Sequence, residues 1–79
     1  MNIKIIGSNC SNGIKLKKML FKAINDVDEV INVELKDDQL SLNKYNIKNI
    51  PGLVINGKLL SEGKVLTDRE IKKFIKSYA

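Results

Sequence analysis

Residues Gly52-Leu53-Val54-Ile55-Asn56-Gly57-Lys58-Leu59-Leu60 place two apolar runs around Asn56-Gly57, the pair that tolerates positive φ at both central positions of a two-residue hairpin turn. Two antiparallel strands are predicted to meet there. The only proline, Pro51, stands directly before this hairpin, and Gly63 follows it. Further on, Thr67 and Glu70 have the spacing of a reciprocal capping box. Ile71, Phe74, Ile75 and Tyr78 then recur on one helical face, so the chain is predicted to close in a helix. Upstream, Asn2-Ile3-Lys4-Ile5-Ile6 is a β-branched apolar run closed by Gly7, Ser8 and Asn9 and reads as a strand. Leu16, Met19, Leu20, Ala23, Ile24 and Val27 share one face of a helix and are core candidates, with Lys15, Lys18 and Lys22 opposite. Val30 to Leu35 supplies a second strand, and strand, helix, strand over this length implies a right-handed parallel crossover. Asp37 and Asp38 can cap a short helix running to about Asn46, with Leu40 and Tyr45 facing inward.

The predicted order is strand, helix, strand, helix, strand, strand, helix, without repeat or low-complexity linker. The 79 residues are 43% apolar and 29% charged, enough for one small domain spanning residues 1–79 and too few for two. Cys10 is the only cysteine and there is no histidine. An intrachain disulfide, every Ser-His or Cys-His pair and any Cys/His zinc site within one chain are thereby excluded. Met1 to Gly7 interrupts its short apolar run with Lys4, unlike a secretory signal, and no stretch approaches the length of a membrane span. With an unpaired thiol, the expected location is the cytoplasm. The net charge is +5, but the lysines are interrupted by Asp26, Asp28, Glu29, Asp37 and Asp38. They read as solvated helix faces, and neither nucleic acid nor a membrane is an expected partner.

Cys10 falls where the loop Gly7-Ser8-Asn9 ends and the first helix begins, followed by Ser11, Asn12 and Gly13. Unpaired N–H groups and the helix dipole favour negative charge at such a position, which makes the thiol a candidate nucleophile. The alternative is a small buried side chain without chemistry. Gly13 allows a close backbone approach in the first helical turn.

These residues, in this order, resemble the thioredoxin-like fold, and in particular the small redox-active disulfide proteins, also called glutaredoxin-related. The resemblance covers nearly the whole chain. Cys10-Ser11-Asn12-Gly13 matches the family's Cys-x-x-Cys stretch. Tyr45-Asn46-Ile47-Lys48-Asn49-Ile50-Pro51, continuing through the hairpin to Leu59, matches its cis-proline loop, and Gly63 matches a glycine after the hairpin. The implied fold is α/β, three-layered α/β/α with a four-stranded mixed sheet. The first and third helices would lie on one face and the second on the other. The resemblance further implies that Pro51 is cis and faces Cys10, and that the backbone of Ile50 pairs with an extended substrate chain. Read without it, Pro51 is an ordinary turn residue opening an edge strand.

Gly13 departs from the family, which carries its resolving cysteine there. Cys10 could attack a disulfide but nothing in the chain could resolve the product, so turnover would need an external thiol such as glutathione or a second protein molecule. Two readings follow. The first is monothiol thiol–disulfide exchange, with Cys10 as nucleophile, the N–H groups of Ser11, Asn12 and Gly13 presented to its sulfur, and Ile50-Pro51 and Gly63 positioning the partner. The second is a redox-inactive binding module that keeps the cis-proline surface for a protein partner. Either way the expected partner is a protein or a small thiol or disulfide, the chain is expected to be a monomer, and no metal or bound cofactor is implied beyond glutathione as the external thiol. Some monothiol relatives hold an iron–sulfur cluster between subunits, but their extended motif is missing here. Replacing Gly13 by Cys is expected to restore an intrachain disulfide.

Overall fold

The apolar run that begins the chain becomes an inner strand because both of its faces find cover. In the computed structural model, which describes residues 1–79, β1 (Asn2–Ile6) lies between β2 (Asn32–Lys36) and β3 (Gly52–Ile55), and β4 (Lys58–Glu62) forms the far edge. β1 runs parallel to β2 and antiparallel to β3, and β3 runs antiparallel to β4. The sheet is thus four-stranded and mixed. Helices α1 (Ser11–Asn25), α2 (Gln39–Lys44) and α3 (Asp68–Tyr78) complete the order βαβαββα.

On one face, Ile3 and Ile5 sit beside their cross-strand partners Ile55 and Leu53, beneath Leu16, Leu20 and Ala23 of α1 and Ile71 and Ile75 of α3. All of these are fully or almost fully buried, and Leu66 closes the cluster ahead of α3. Burying such aliphatic side chains stabilises by about 1.5–3 kcal/mol each, which makes this layer the main source of stability. The other face has a thinner cover. Lys4, Ile6, Val54 and Gly52 alternate onto it, the Lys4 Nζ donates to the Tyr45 hydroxyl at 3.3 Å, and Ile47 closes over Gly52. The Tyr45 hydroxyl, followed by Glu34 at 3.6 Å, raises the Lys4 pKa above the ordinary lysine value.

Asn56 and Gly57 adopt φ of 49° and 82°, the left-handed pair that a tight hairpin turn demands, and the Asn56 N–H donates to Asn2 O at 2.8 Å, tying the turn to β1. Between Leu53 and Val54 the pairing with β4 slips by one residue, leaving Leu60 as a bulge.

Three local expectations shift. The second strand starts at Asn32 rather than Val30, because its parallel pairing begins opposite Asn2 and ends with Met1, whose carbonyl accepts from the Asn32 N–H; Val30 is left 89% exposed. The first helix ends at Asn25, so Val27 packs on the core from the following loop. The second helix is only six residues long, and Leu40 does not face inward but is 79% exposed. Asp38 at its N-cap sets the rotation of this helix by accepting from the Ser41 N–H at 3.1 Å, and Leu42 and Tyr45 take the half-buried positions.

The third helix opens with a complete capping box, the Glu70 N–H donating to Thr67 Oγ1 and the Thr67 N–H to Glu70 Oε1. Thr67→Ala should therefore lower unfolding free energy by about 1 kcal/mol in denaturant titrations. Three carboxyls are held below the ordinary range: Glu70 by the Thr67 N–H and hydroxyl, Asp38 by the Ser41 hydroxyl and N–H, and Asp26 by the Lys72 ammonium. Groups depressed in the folded state contribute stability above their unfolded pKa, so stability should be level from about pH 5 up to the lysine range near about pH 10 and fall on acidification through about pH 4. Glu70→Gln should make that fall shallower; an unchanged acid slope would contradict the assignment.

Candidate functional site

Cys10 is the N-cap of α1, in extended conformation with φ of −73° and ψ of 161°. It reaches that place because Gly7 ends β1 with φ of +81°, turning the chain sharply through Ser8 and Asn9 into the helix. The Gly7 and Ser8 N–H groups both donate to Lys36 O, at 2.8 and 3.3 Å, and Asn9 Nδ2 donates to Asp37 Oδ2 at 3.0 Å. The loop is thus pinned to the C-terminal end of β2.

The Cys10 thiol has one partner of each kind. Sγ donates to Gly7 O at 3.1 Å and accepts from the Gly13 N–H at 3.2 Å, and the side chain is half-buried. Ser11 and Asn12 are exposed, and neither of their N–H groups donates to the sulfur. Of the three N–H groups proposed from sequence to face the sulfur, only that of Gly13 reaches it, since an N-cap side chain folds back onto the N3 position of its helix.

The Ile50–Pro51 peptide is cis. Pro51 is fully buried, while Ile50 remains 44% exposed. The two loops meet at Gly7: a Cβ placed on that residue would lie 2.6 Å from Ile50 Cβ and 2.7 Å from its Cγ2. Only a residue without a side chain lets Ile50 sit there, and the same residue's carbonyl holds the Cys10 thiol. Gly63, with φ of +71°, donates its N–H to Pro51 O at 2.9 Å and packs on Asn49. The backbone N–H and C=O groups of Lys48, Asn49 and Ile50 make no hydrogen bond within the chain. Cys10, Gly13, Ile50, Pro51 and Gly63 therefore gather at the end of the sheet where β1 stops and β3 starts. No three His, Cys, Asp or Glu side chains converge to hold a metal ion, and no helix is long and apolar enough to cross a membrane.

Sequence reasoning passed over Gly7, treating it as loop punctuation. Its place three residues before a lone cysteine at a strand end was the available signal, but the contact with Ile50, 43 residues away, is visible only in the folded chain. The close backbone approach expected at Gly13 is present, and its partner is the Gly7–Ser8 backbone. A Cβ there would run into the Gly7 carbonyl oxygen and lie 2.9 Å from both Ser8 Cα and the Ser8 carbonyl carbon. A cysteine at this position, the substitution expected to restore an intrachain disulfide, would therefore require the Gly7–Ser8 backbone to move aside.

A family model described as thioredoxin domain matches residues 1–76. Among curated proteins, a thioredoxin from Methanothermobacter thermautotrophicus is similar, being 28% identical over 75 residues that cover 95% of this chain and 97% of that relative. No solved structure is matched.

Ala at a helical Gly normally stabilises by up to about 1 kcal/mol. At Gly13 the contact with the Gly7 and Ser8 backbone should reverse the sign, with a net loss of roughly 1–3 kcal/mol from overpacking. Thermal or denaturant unfolding of Gly13→Ala reads this directly, and a variant as stable as the parent would show that the loop can open freely. Gly13→Cys should form an internal disulfide after oxidation if that loop yields, read as loss of both thiols with no mass adduct; two persistent free thiols would contradict the match of Cys10–Gly13 to Cys-x-x-Cys.

Proposed function

The chain belongs to the thioredoxin domain family, whose chemistry is of the thiol–disulfide type, and from that premise we propose monothiol exchange through Cys10. The Cys10 sulfur, as thiolate, attacks one sulfur of a partner disulfide; a new Cys10–partner S–S bond forms, the partner's own S–S bond breaks, and the second partner sulfur leaves as a thiolate. An external thiolate, from glutathione or a second protein, then attacks the partner sulfur of the mixed disulfide. Cys10 is released as thiolate, and the partner and the external thiol end joined by the new disulfide. No net electron change falls on this chain across the two steps.

The observation that carries this reading is the hydrogen-bonding of the lone thiol at the start of α1, with the Gly13 N–H on its sulfur and the Gly7 carbonyl accepting its proton. The Gly13 N–H remains a donor to the sulfur when it is negatively charged or leaving, whereas the Gly7 carbonyl partners only the protonated form. Ile50 supports docking of the partner. Its side chain is partly exposed beside the Cys10 loop, and its backbone groups, unpaired within the chain, could align with an extended segment. Pro51 and Gly63 would hold that loop in place. The partner is then a protein or small disulfide, and a reducing compartment such as the cytoplasm suits an unpaired thiol.

The unpaired Lys48–Ile50 backbone also favours a second reading, a module that binds an extended peptide at the same surface without exchange. Incubation with oxidised glutathione separates the two. Monothiol exchange should give a single glutathione adduct by intact mass, absent in Cys10→Ser and removed by excess reduced glutathione. Insulin reduction with dithiothreitol should be slow, since no second thiol resolves the intermediate. A protein that stays unmodified under conditions that modify a model thiol peptide would leave only the binding module.

A further inference from the structure

The two edges of the sheet are not equivalent. β4 carries a bulge at Leu60, a device that blunts an edge against further pairing, whereas β2 pairs with β1 over all five residues without a slip. The Asn32 N–H and the Lys36 carbonyl both turn toward β1. By strand alternation, the N–H and C=O groups of Val33 and Leu35 turn to the open side. This edge has no proline and no bulge, and its two charges, Glu34 and Lys36, are of opposite sign.

Exposed apolar side chains concentrate beside it. Of the seven large exposed hydrophobic residues, Val30, Leu35 and Leu40 lie on β2 or within four residues of it. Ile14 and Phe21, each nearly half exposed, are two turns apart on α1. The flank of α1 that bears Lys15, Lys18 and Met19 lies against Val65, Leu66 and Thr67 ahead of α3. Ile14 and Phe21 therefore occupy the opposite flank, over the β2 side.

We propose that β2 is a dimer seam, on which a second copy of this chain adds its own β2 antiparallel about a two-fold axis at Leu35. The sequence of the edge selects this occupant. With the axis at Leu35, Glu34 of each copy falls opposite Lys36 of the other, so the seam gains two opposite-charge cross-strand pairs. Leu35 meets Leu35, its outward N–H and C=O groups pairing reciprocally. Val33 falls opposite Asp37, where the strand has ended. Val30 and Leu40, five residues to either side, come to the same end of the seam, one from each copy. Ile14 and Phe21 of the two α1 helices flank the paired leucines. Moving the axis to Glu34 would set two carboxylates face to face, which the charge pattern disfavours. The seam is independent of Cys10 chemistry and can be tested without it.

Sedimentation velocity from micromolar to millimolar concentration, at physiological ionic strength, should show the 8.9 kDa chain passing to twice its mass. Glu34→Lys places lysine opposite Lys36 and Lys36→Glu places glutamate opposite Glu34, so each variant alone should weaken self-association at least tenfold. An equimolar mixture of the two restores both opposite-charge pairs and should dimerise as the parent does. Because Glu34 also faces Lys4 at 3.6 Å, Leu35→Lys serves as a variant that leaves that pair intact and should also be monomeric, with circular dichroism confirming its fold. A parent that sediments as a monomer throughout, a Leu35→Lys variant that still dimerises, or a mixture that fails to restore the dimer would each overturn the seam.

Discussion

Gly7 is the point at which the rest of the site is assembled. Its N–H holds the end of β2 through Lys36, its carbonyl receives the Cys10 thiol, its Cα lies against Ile50, and its carbonyl oxygen fills the space beside Gly13. Three chain segments can converge on one residue only if it has no side chain and can adopt a left-handed φ. The absence of side chains at positions 7 and 13 is thus one constraint seen from two sides. The loop that presents the cysteine is pulled down onto the helix it caps, and the helix must offer a glycine to receive it.

That closeness has a chemical consequence. Any side chain at position 13 would compete for space with the Gly7 carbonyl and the Ser8 backbone, so a larger residue there requires the loop to move. Under the proposed monothiol exchange, this end of the sheet would form a bond with another molecule and leave release to that molecule or to a third.

The two faces of the sheet share the work unequally. α1 and α3 bury the aliphatic residues that stabilise the chain, while the α2 side is closed by Ile47, Tyr45 and the stem of Lys4, with no fully buried residue in the helix itself. Apolar side chains that the thin side and the β2 edge leave uncovered form a surface that a chain of this size cannot bury alone. Association along β2 would complete what the fold leaves open, at the end of the molecule where the Cys10 loop is already pinned to that strand.

Order of elements, fold class and the location of the thiol were legible in the sequence because each has a local cause. Asn56-Gly57 dictates its own turn, Thr67 and Glu70 cap their own helix, and the spacing of Leu16, Leu20 and Ala23 marks a buried face whatever it packs against. What the tertiary structure decided was non-local. The start of β2 depends on the register that sets Asn32 opposite Asn2, the exposure of Leu40 on how Asp38 rotates a helix too short to be held by its own apolar stripe, and the closure at Gly13 on a carbonyl six residues earlier. Such contacts arise when two backbones approach closely, and a sequence records them only as glycines, which look alike whether they serve a turn, a flexible loop or a contact.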